Sequence, residues 1–291
     1  SRKMDVKENS SYWRDRGLEH LNRRFAPARV DDLLREKLAR NGTASLLEIG
    51  CGEGRVLLDL RRILPDVRLH GLNKKPWEGM EGPESLRAIA LEHGLFTEEE
   101  YDAAEAPDIR FGDARSLPYE DGSMDLVVSQ VALHYVARKD EMLEEVWRVL
   151  KPGGRALLHL DSSSADAPDF LREESPRCII RRGDSQVPLA AFARALRRGG
   201  FAIAIDIVRS KNGRQTHLFI EKNRPEPLKL GLTFDPVSSL DLRVLRSEHR
   251  DRDTCWGYRS VFLLPETNRV RDRLRRYARR QIGKLEKILS G

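Results

Sequence analysis

Two hydrophobic periods take turns along this chain. "APARVDDLLREKLARNG" places Val30, Leu33, Leu34 and Leu38 on one helical face, with Pro27 near its start and Gly42 after its end, which predicts an amphipathic helix. "ASLLEIG" is a short apolar run ending in glycine and predicts a buried strand; "RVLLDLRRIL" predicts a helix stopped by Pro65, and "VRLHGL" a second strand. The connection from Asn73 to Pro107 is long but carries its own helix signals. Pro83 precedes Leu86, Ile89 and Ala90 with Gly94 as a stop, and Thr97 and Glu100 have the spacing of a capping box, so two short helices are expected there. "DIRFGDA" and "MDLVVSQ" predict a third and a fourth strand. "DEMLEEVWRVLKPGG" follows as a helix with Met142, Leu143, Val146, Trp147 and Leu150 on one stripe, and "RALLHLD" as a fifth strand. "PLAAFARALRRGG" reads as a helix, "FAIAIDIV" and the segment from Thr216 to Ile220 as two more strands. Strands alternating with helices imply a parallel sheet covered on both faces. After Asn223 the rhythm breaks at "RPEPLKLG", and the final 68 residues read as an addition, with strand-like "LRVLRSEH" and "YRSVFLL" before one long helix.

Composition narrows the class. A hydrophobic fraction of 40% and a charged fraction of 34% over 291 residues suit a folded globular chain rather than a disordered one. The apolar runs are far shorter than the roughly 20 residues that span a bilayer, so no membrane insertion is expected. No amino-terminal stretch combines a basic start, an apolar core and a small-residue cleavage site. Cys51, Cys178 and Cys255 are widely spaced without a metal-ligand pattern and fit a reducing compartment, which together give a cytoplasmic expectation and no metal site. The net charge of +6 is localised: from Asn268 onward seven arginines and two lysines face only Asp272 and Glu286, leaving the remainder close to neutral.

The stretch "LLEIGCGEGRVLLDL" sets Gly50, Gly52 and Gly54 between a strand and a helix. Each glycine weakens regular structure by about 0.5–1 kcal/mol relative to alanine, so three together need a reason. In doubly wound sheets the first strand-to-helix turn makes the closest ligand contact. Gly50 then permits the bend, Gly52 lets the backbone approach a ligand, and Gly54 lets helix and strand pack closely. The spacing is G-x-G-x-G, with Arg55 after Gly54, and departs from the G-x-G-x-x-G that cradles a pyrophosphate.

On this motif the chain resembles the class I S-adenosylmethionine-dependent methyltransferases. "GDARSLPYEDGSMDLVVSQVALHYV" and "EVWRVLKPGGRALLHL" resemble two further segments of that family, in the family's order, and the likeness covers roughly Thr43 to Asn223. The resemblance implies an α/β, Rossmann-like doubly wound seven-stranded sheet whose last strand runs antiparallel. It divides the chain into an N-terminal helical lid (1–42), a cofactor-binding core (43–223) and a C-terminal extension (224–291) ending in a basic amphipathic helix. It also implies S-adenosylmethionine as cofactor. Glu48 with Gly50, Cys51, Gly52 and Gly54 would hold its methionine end, Cys51 serving as a small packing residue rather than a nucleophile. Leu72 and Asn73 would lie at the ribose. Asp113 would accept from the adenine amino group beside the backbone N–H of Ala114, and Gln130 and Leu133 would face the cofactor from the fourth strand's end. Asn73 departs from the family, which usually has an acidic residue there gripping both ribose hydroxyls; an amide accepts and donates without the strength of a charge.

Methyl transfer from a sulfonium is an in-line displacement that depends on positioning, with a base needed only for a hydroxyl or protonated amine acceptor. His134, with Tyr135 beside it, is the expected base; His159 and Asp161 at the fifth strand's end come second. In "SSYWRDRGLEHLNRRF", Tyr12 and Arg16 are expected to touch cofactor or substrate from a lid helix. The terminal helix, with Val270, Leu274, Tyr277, Ile282, Leu285 and Leu289 at helical spacing, suits a solvated face or a partner helix in a homo-oligomer first, and an RNA or an anionic membrane surface second. Four readings follow. The first is methyl transfer to a small-molecule acceptor. The second is RNA methylation, because "SQVALHY" has a faint likeness to cap guanine methyltransferases. Transfer of the aminocarboxypropyl group with release of methylthioadenosine is the third, and non-catalytic binding of the cofactor the fourth.

Overall fold

The computed structural model describes residues 17–76, 78–130, 132–133, 136, 138–161, 178–186, 204–210, 213–236 and 255–256. Its main sheet is built from β1 (Ala44–Ile49), β2 (Val67–Asn73), β3 (Asp108–Phe111), β4 (Met124–Ser129), β5 (Leu150–Asp161), β8 (Ala204–Ser210) and β9 (Gly213–Glu221). The spatial order is β3-β2-β1-β4-β5-β9-β8. β1 runs parallel to β2 on one side and to β4 on the other, β4 is parallel to β5, and β9 is antiparallel to both β5 and β8. Chain order therefore proceeds outward from β1 through β2 to β3, then returns to β4 on the opposite side. The carboxyl ends of β1 and β4 flank this reversal, where an open α/β sheet holds its ligands.

Both faces are covered, which is why all six residues of β1 and of β4 are buried. On one face Leu46, Val128 and Leu157 pack against α1 (Leu18–Arg24), α2 (Val30–Asn41) and α3 (Arg55–Ile63) through Leu21, Phe25, Leu34, Leu57 and Leu58. The other face sets Leu47, Val127 and Leu158 against Met142, Leu143, Val146 and Trp147 of α6 (Lys139–Val149). The connection after β2 holds the two expected short helices, α4 (Pro83–Glu92) and α5 (Glu98–Ala103). Pro83 opens α4, where its missing N–H is no loss, and Thr97 and Glu100 close a reciprocal capping box on α5. No helix among the described residues is long and apolar enough to cross a membrane.

Three features differ from the sequence expectation. β5 starts at Leu150, so "LKPGG" belongs to the strand rather than to a helix end, with a register irregularity against β4 that takes up the glycines. A second sheet stands beside the expected one: β6 (Cys178–Arg182) pairs with β7 (Ser185–Gln186), with β10 (Thr233–Pro236) and with β11 (Cys255–Trp256), all antiparallel. Finally, residue 223 is no break in packing. Leu228, Leu230 and Leu232 are buried in the core cluster of Trp147, whose indole Nε1 donates to Glu226 O at 2.8 Å. The helix expected at "PLAAFARALRRGG", the strands expected at "LRVLRSEH" and "YRSVFLL", and the basic terminal helix lie outside the described residues.

Lys222 ties this region together. Its ammonium, 6% exposed as a residue, donates to Trp147 O at 2.9 Å and Leu150 O at 2.8 Å, the carbonyls that leave α6 and enter β5. Burial pushes its pKa below the ordinary lysine value. Lys222→Met would keep the stem and orphan both carbonyls, so a stability loss of about 2–3 kcal/mol is expected in urea unfolding of the whole chain.

Candidate functional site

The glycine turn bends as its residues require. Gly50, Gly52 and Gly54 have φ of 72°, 56° and 76°, all in the left-handed region that a side chain disfavours. Their surroundings separate their roles. A Cβ on Gly50 would lie 2.2 Å from Ala132 Cβ, and one on Gly54 would lie 2.5 Å from Leu86 Cδ1 of α4, whereas among the described residues nothing approaches within 4 Å of a Cβ on Gly52. Gly50 and Gly54 are thus glycines because protein packs against them, and Gly52 borders open space. The turn is anchored to β2, since the N–H groups of Gly50 and Cys51 both donate to Leu72 O, at 2.7 and 3.2 Å.

Glu48 lies two residues before the turn on β1, 2% exposed. The Gln130 side chain hydrogen-bonds its carboxyl, while Glu48 Oε2 has no hydrogen-bond partner among the described residues. Burial, reinforced by the negative charge of Asp59, holds its pKa well above the ordinary carboxylate range. A buried carboxyl with an unengaged oxygen beside an open backbone turn is a prepared acceptor for a cation or a hydroxyl. Asp59 is itself fixed: Oδ1 accepts from Arg55 Nε and Oδ2 from Leu18 N, both at 2.9 Å. Asp59 therefore fastens the start of α1 to α3, and a Cβ on Gly17 would come within 2.6 Å of its carboxylate.

At the end of β2, Leu72 is buried and the Asn73 side chain, 4% exposed as a residue, is bonded to Gly52 through both of its polar atoms. Asp113 follows β3. Its two oxygens receive the guanidinium of Arg115, Nε at 3.0 Å and Nη2 at 2.7 Å, and Oδ1 also accepts the Arg115 N–H at 2.9 Å. These bonds outweigh partial burial and hold the Asp113 pKa below the usual value. Lys74 adds positive charge nearby. Ala114 and Leu133 are buried apolar residues of one core cluster. Cys51 is buried, and desolvation together with Glu48 drives its thiol pKa well up, so it packs and does not attack.

The structure thus gathers Glu48, the turn, Asn73 and Gln130 at the carboxyl ends of β1, β2 and β4, with Asp113 at the end of β3. His159 belongs to the interior of the sheet. It is 0% exposed and meets His217 of β9 edge-on, with ring centroids 5.5 Å apart, and His217 in turn packs on Phe25. Asp161 ends β5 in register with Thr216. Tyr12, Arg16, His134 and Tyr135 lie outside the described residues. Arg115 and Gln130's bond to Glu48 were not visible as site contacts in the sequence, although an acidic residue two before an arginine in a turn is the signal for the first.

The chain is similar to known proteins over part of its length. Residues 47–158 match a family model described as a methyltransferase domain. A sterol 4-C-methyltransferase of Caenorhabditis elegans is 28% identical over 124 residues, 43% of this chain and 33% of that protein. An ajmaline N-methyltransferase of Rauvolfia serpentina is 26% identical over 152 residues, 52% of this chain and 46% of that protein. A 27-O-demethylrifamycin SV methyltransferase of Amycolatopsis mediterranei is 29% identical over 165 residues, 57% of this chain and 52% of that protein. The chain thus spans about a third to a half of the length of these curated relatives. Over residues 47–158 the chain is therefore similar to the methyltransferase-domain family.

Proposed function

We propose that this protein transfers the methyl group of S-adenosylmethionine to a small organic acceptor. The observation that carries the reading is the unengaged Oε2 of buried Glu48 beside the open space at Gly52, a fit for a cationic amino group lying against exposed backbone. The names of the relatives support the substrate class: they act on a sterol, an alkaloid and a rifamycin. When bound, the cofactor supplies an electrophilic sulfonium methyl. The chain's residues do the rest by position. Glu48 would take the ammonium, Gly52 would admit the methionine backbone, and the Asp113 carboxylate, already aimed by Arg115, would accept from the adenine amino group. His134, beside Tyr135, is proposed as the base for a hydroxyl or amine acceptor, and Tyr12 and Arg16 as the cover of the site. A cytoplasmic setting and self-association through the C-terminal extension belong to the same proposal.

Incubation with methyl-labelled S-adenosylmethionine and fractionated metabolites tests it. Acceptor-dependent S-adenosylhomocysteine with label in a small molecule is the expected result. Methylthioadenosine as product, label in added RNA, or binding without turnover in any fraction would overturn it. Asp113→Ala is expected to weaken S-adenosylhomocysteine binding by about 1–2 kcal/mol, roughly five- to thirtyfold in calorimetry. Unchanged affinity would remove the adenine contact.

A further inference from the structure

We propose that Asn73 is a positioning residue: its amide locks the Gly52 peptide in the ligand-facing conformation and does not read the ribose hydroxyls, an inference that rests on the cofactor reading above. The geometry is specific. Gly52 N–H donates to Asn73 Oδ1 at 2.9 Å and Asn73 Nδ2 donates to Gly52 O at 2.9 Å, so one side-chain amide and one residue's backbone close a two-bond ring. An amide satisfies both partners, and an ionised carboxylate does not. A carboxylate at this position would still accept from Gly52 N–H but would turn its second oxygen against Gly52 O.

The location explains why such a clamp is needed. Gly52 has φ of 56° and, among the described residues, nothing within 4 Å of where a Cβ would lie, so none of their side chains packs on it there. Its neighbours are held from β2, with Gly50 and Cys51 both donating to Leu72 O, and Asn73 extends that grip by one residue. The backbone of Asn73 is itself fixed, because its carbonyl accepts Gly112 N–H at 2.9 Å. Strand β2 thus holds the turn at three successive residues, and the buried amide plane is set by Gly52 before any ligand arrives. The missing charge at the ribose edge is then the chemical requirement of the clamp.

Asn73→Ala and Asn73→Asp, each compared with the wild-type chain, test this with S-adenosylhomocysteine and its 2′-deoxy and 3′-deoxy analogues as calorimetric probes. Asn73→Ala is expected to weaken all three about tenfold, by the same factor within about twofold, and Asn73→Asp to weaken all three as well. In the ligand-free protein the Gly52 amide should exchange slowly with solvent and at least about tenfold faster in Asn73→Ala, a signature that reports the clamp directly. A loss that shrinks with a deoxy analogue, tighter S-adenosylhomocysteine binding by Asn73→Asp, or an unprotected Gly52 amide in the wild-type chain would each overturn the inference. Absence of S-adenosylhomocysteine binding to the wild-type chain would instead overturn the cofactor reading and the ligand role of the clamp with it, while the exchange rates of the Gly52 amide would still show whether Asn73 holds the turn.

Discussion

Gly50→Ala should both destabilise the protein and strongly weaken cofactor binding. At φ of 72° an alanine carries the left-handed penalty of about 1–2 kcal/mol. The added Cβ would also sit 2.2 Å from Ala132 Cβ, a separation two carbons cannot hold, so backbone must move on one side or the other. Both sides matter to the site. Moving the turn pulls the Gly50 and Cys51 amides off Leu72 O and displaces Gly52; moving Ala132 shifts Leu133, which is fully buried. The combined effect is expected to reach about 2–4 kcal/mol in urea unfolding. The loss of S-adenosylhomocysteine affinity is expected to be on the order of a hundredfold or more. Gly52→Ala is the informative partner. It meets no atom of the described residues within 4 Å, so its stability loss should stay near the backbone penalty of about 1–2 kcal/mol while the affinity loss remains large. Equal stability losses in the two variants would mean that Ala132 does not press on the turn as described.

The sequence exposed those parts of the fold whose cause is local. "ASLLEI" had to be a doubly covered strand because it offers no polar face, Pro83 and the Thr97–Glu100 pair marked two helix starts, and three glycines at alternate positions marked the turn. What escaped depends on partners distant in the chain. "CIIRR" becomes a strand through Thr233–Pro236 and Cys255–Trp256, segments more than fifty residues away. Leu228, Leu230 and Leu232 follow the break in rhythm at Pro225 and Pro227, yet they are buried in the cluster of Trp147. The site follows the same division. Glu48 and the glycines were readable from spacing, but which side chain engages which was not: Asn73 bonds the Gly52 peptide, Arg115 forks onto Asp113, and His159 meets His217 across β5 and β9. Each of those is a matter of where a side chain's polar atoms find partners in three dimensions, which residue type and spacing leave undetermined.

Glu48→Gln is expected to separate stability from function. In the unfolded chain a glutamate ionises near pH ~4.3, whereas burial and the charge of Asp59 keep the folded Glu48 protonated to well above that. Between those two values the folded state holds a proton that the unfolded state has released, so stability falls as pH rises through this window and levels off above the raised pKa. A glutamine has nothing to ionise and retains an amide to meet Gln130. The variant should lose that part of the pH slope and melt a few degrees higher than the wild-type chain at neutral pH, at about 2–4 °C per kcal/mol for a chain of this size. Ligand binding should respond in the opposite sense. A cationic amino group prefers the ionised carboxylate, so below the raised pKa the wild-type chain must give up a proton on binding, and its affinity should climb by up to about tenfold per pH unit. Above that pKa the slope vanishes. Glu48→Gln should bind S-adenosylhomocysteine roughly thirty- to a hundredfold more weakly at the plateau, the scale of a charge-assisted bond, with no proton release when calorimetry is repeated in buffers of different ionisation heat. A variant that binds more weakly yet keeps the wild-type pH dependence would assign the proton to another group, and the buried carboxyl on β1 would then be a structural residue rather than the seat of the ligand's positive charge.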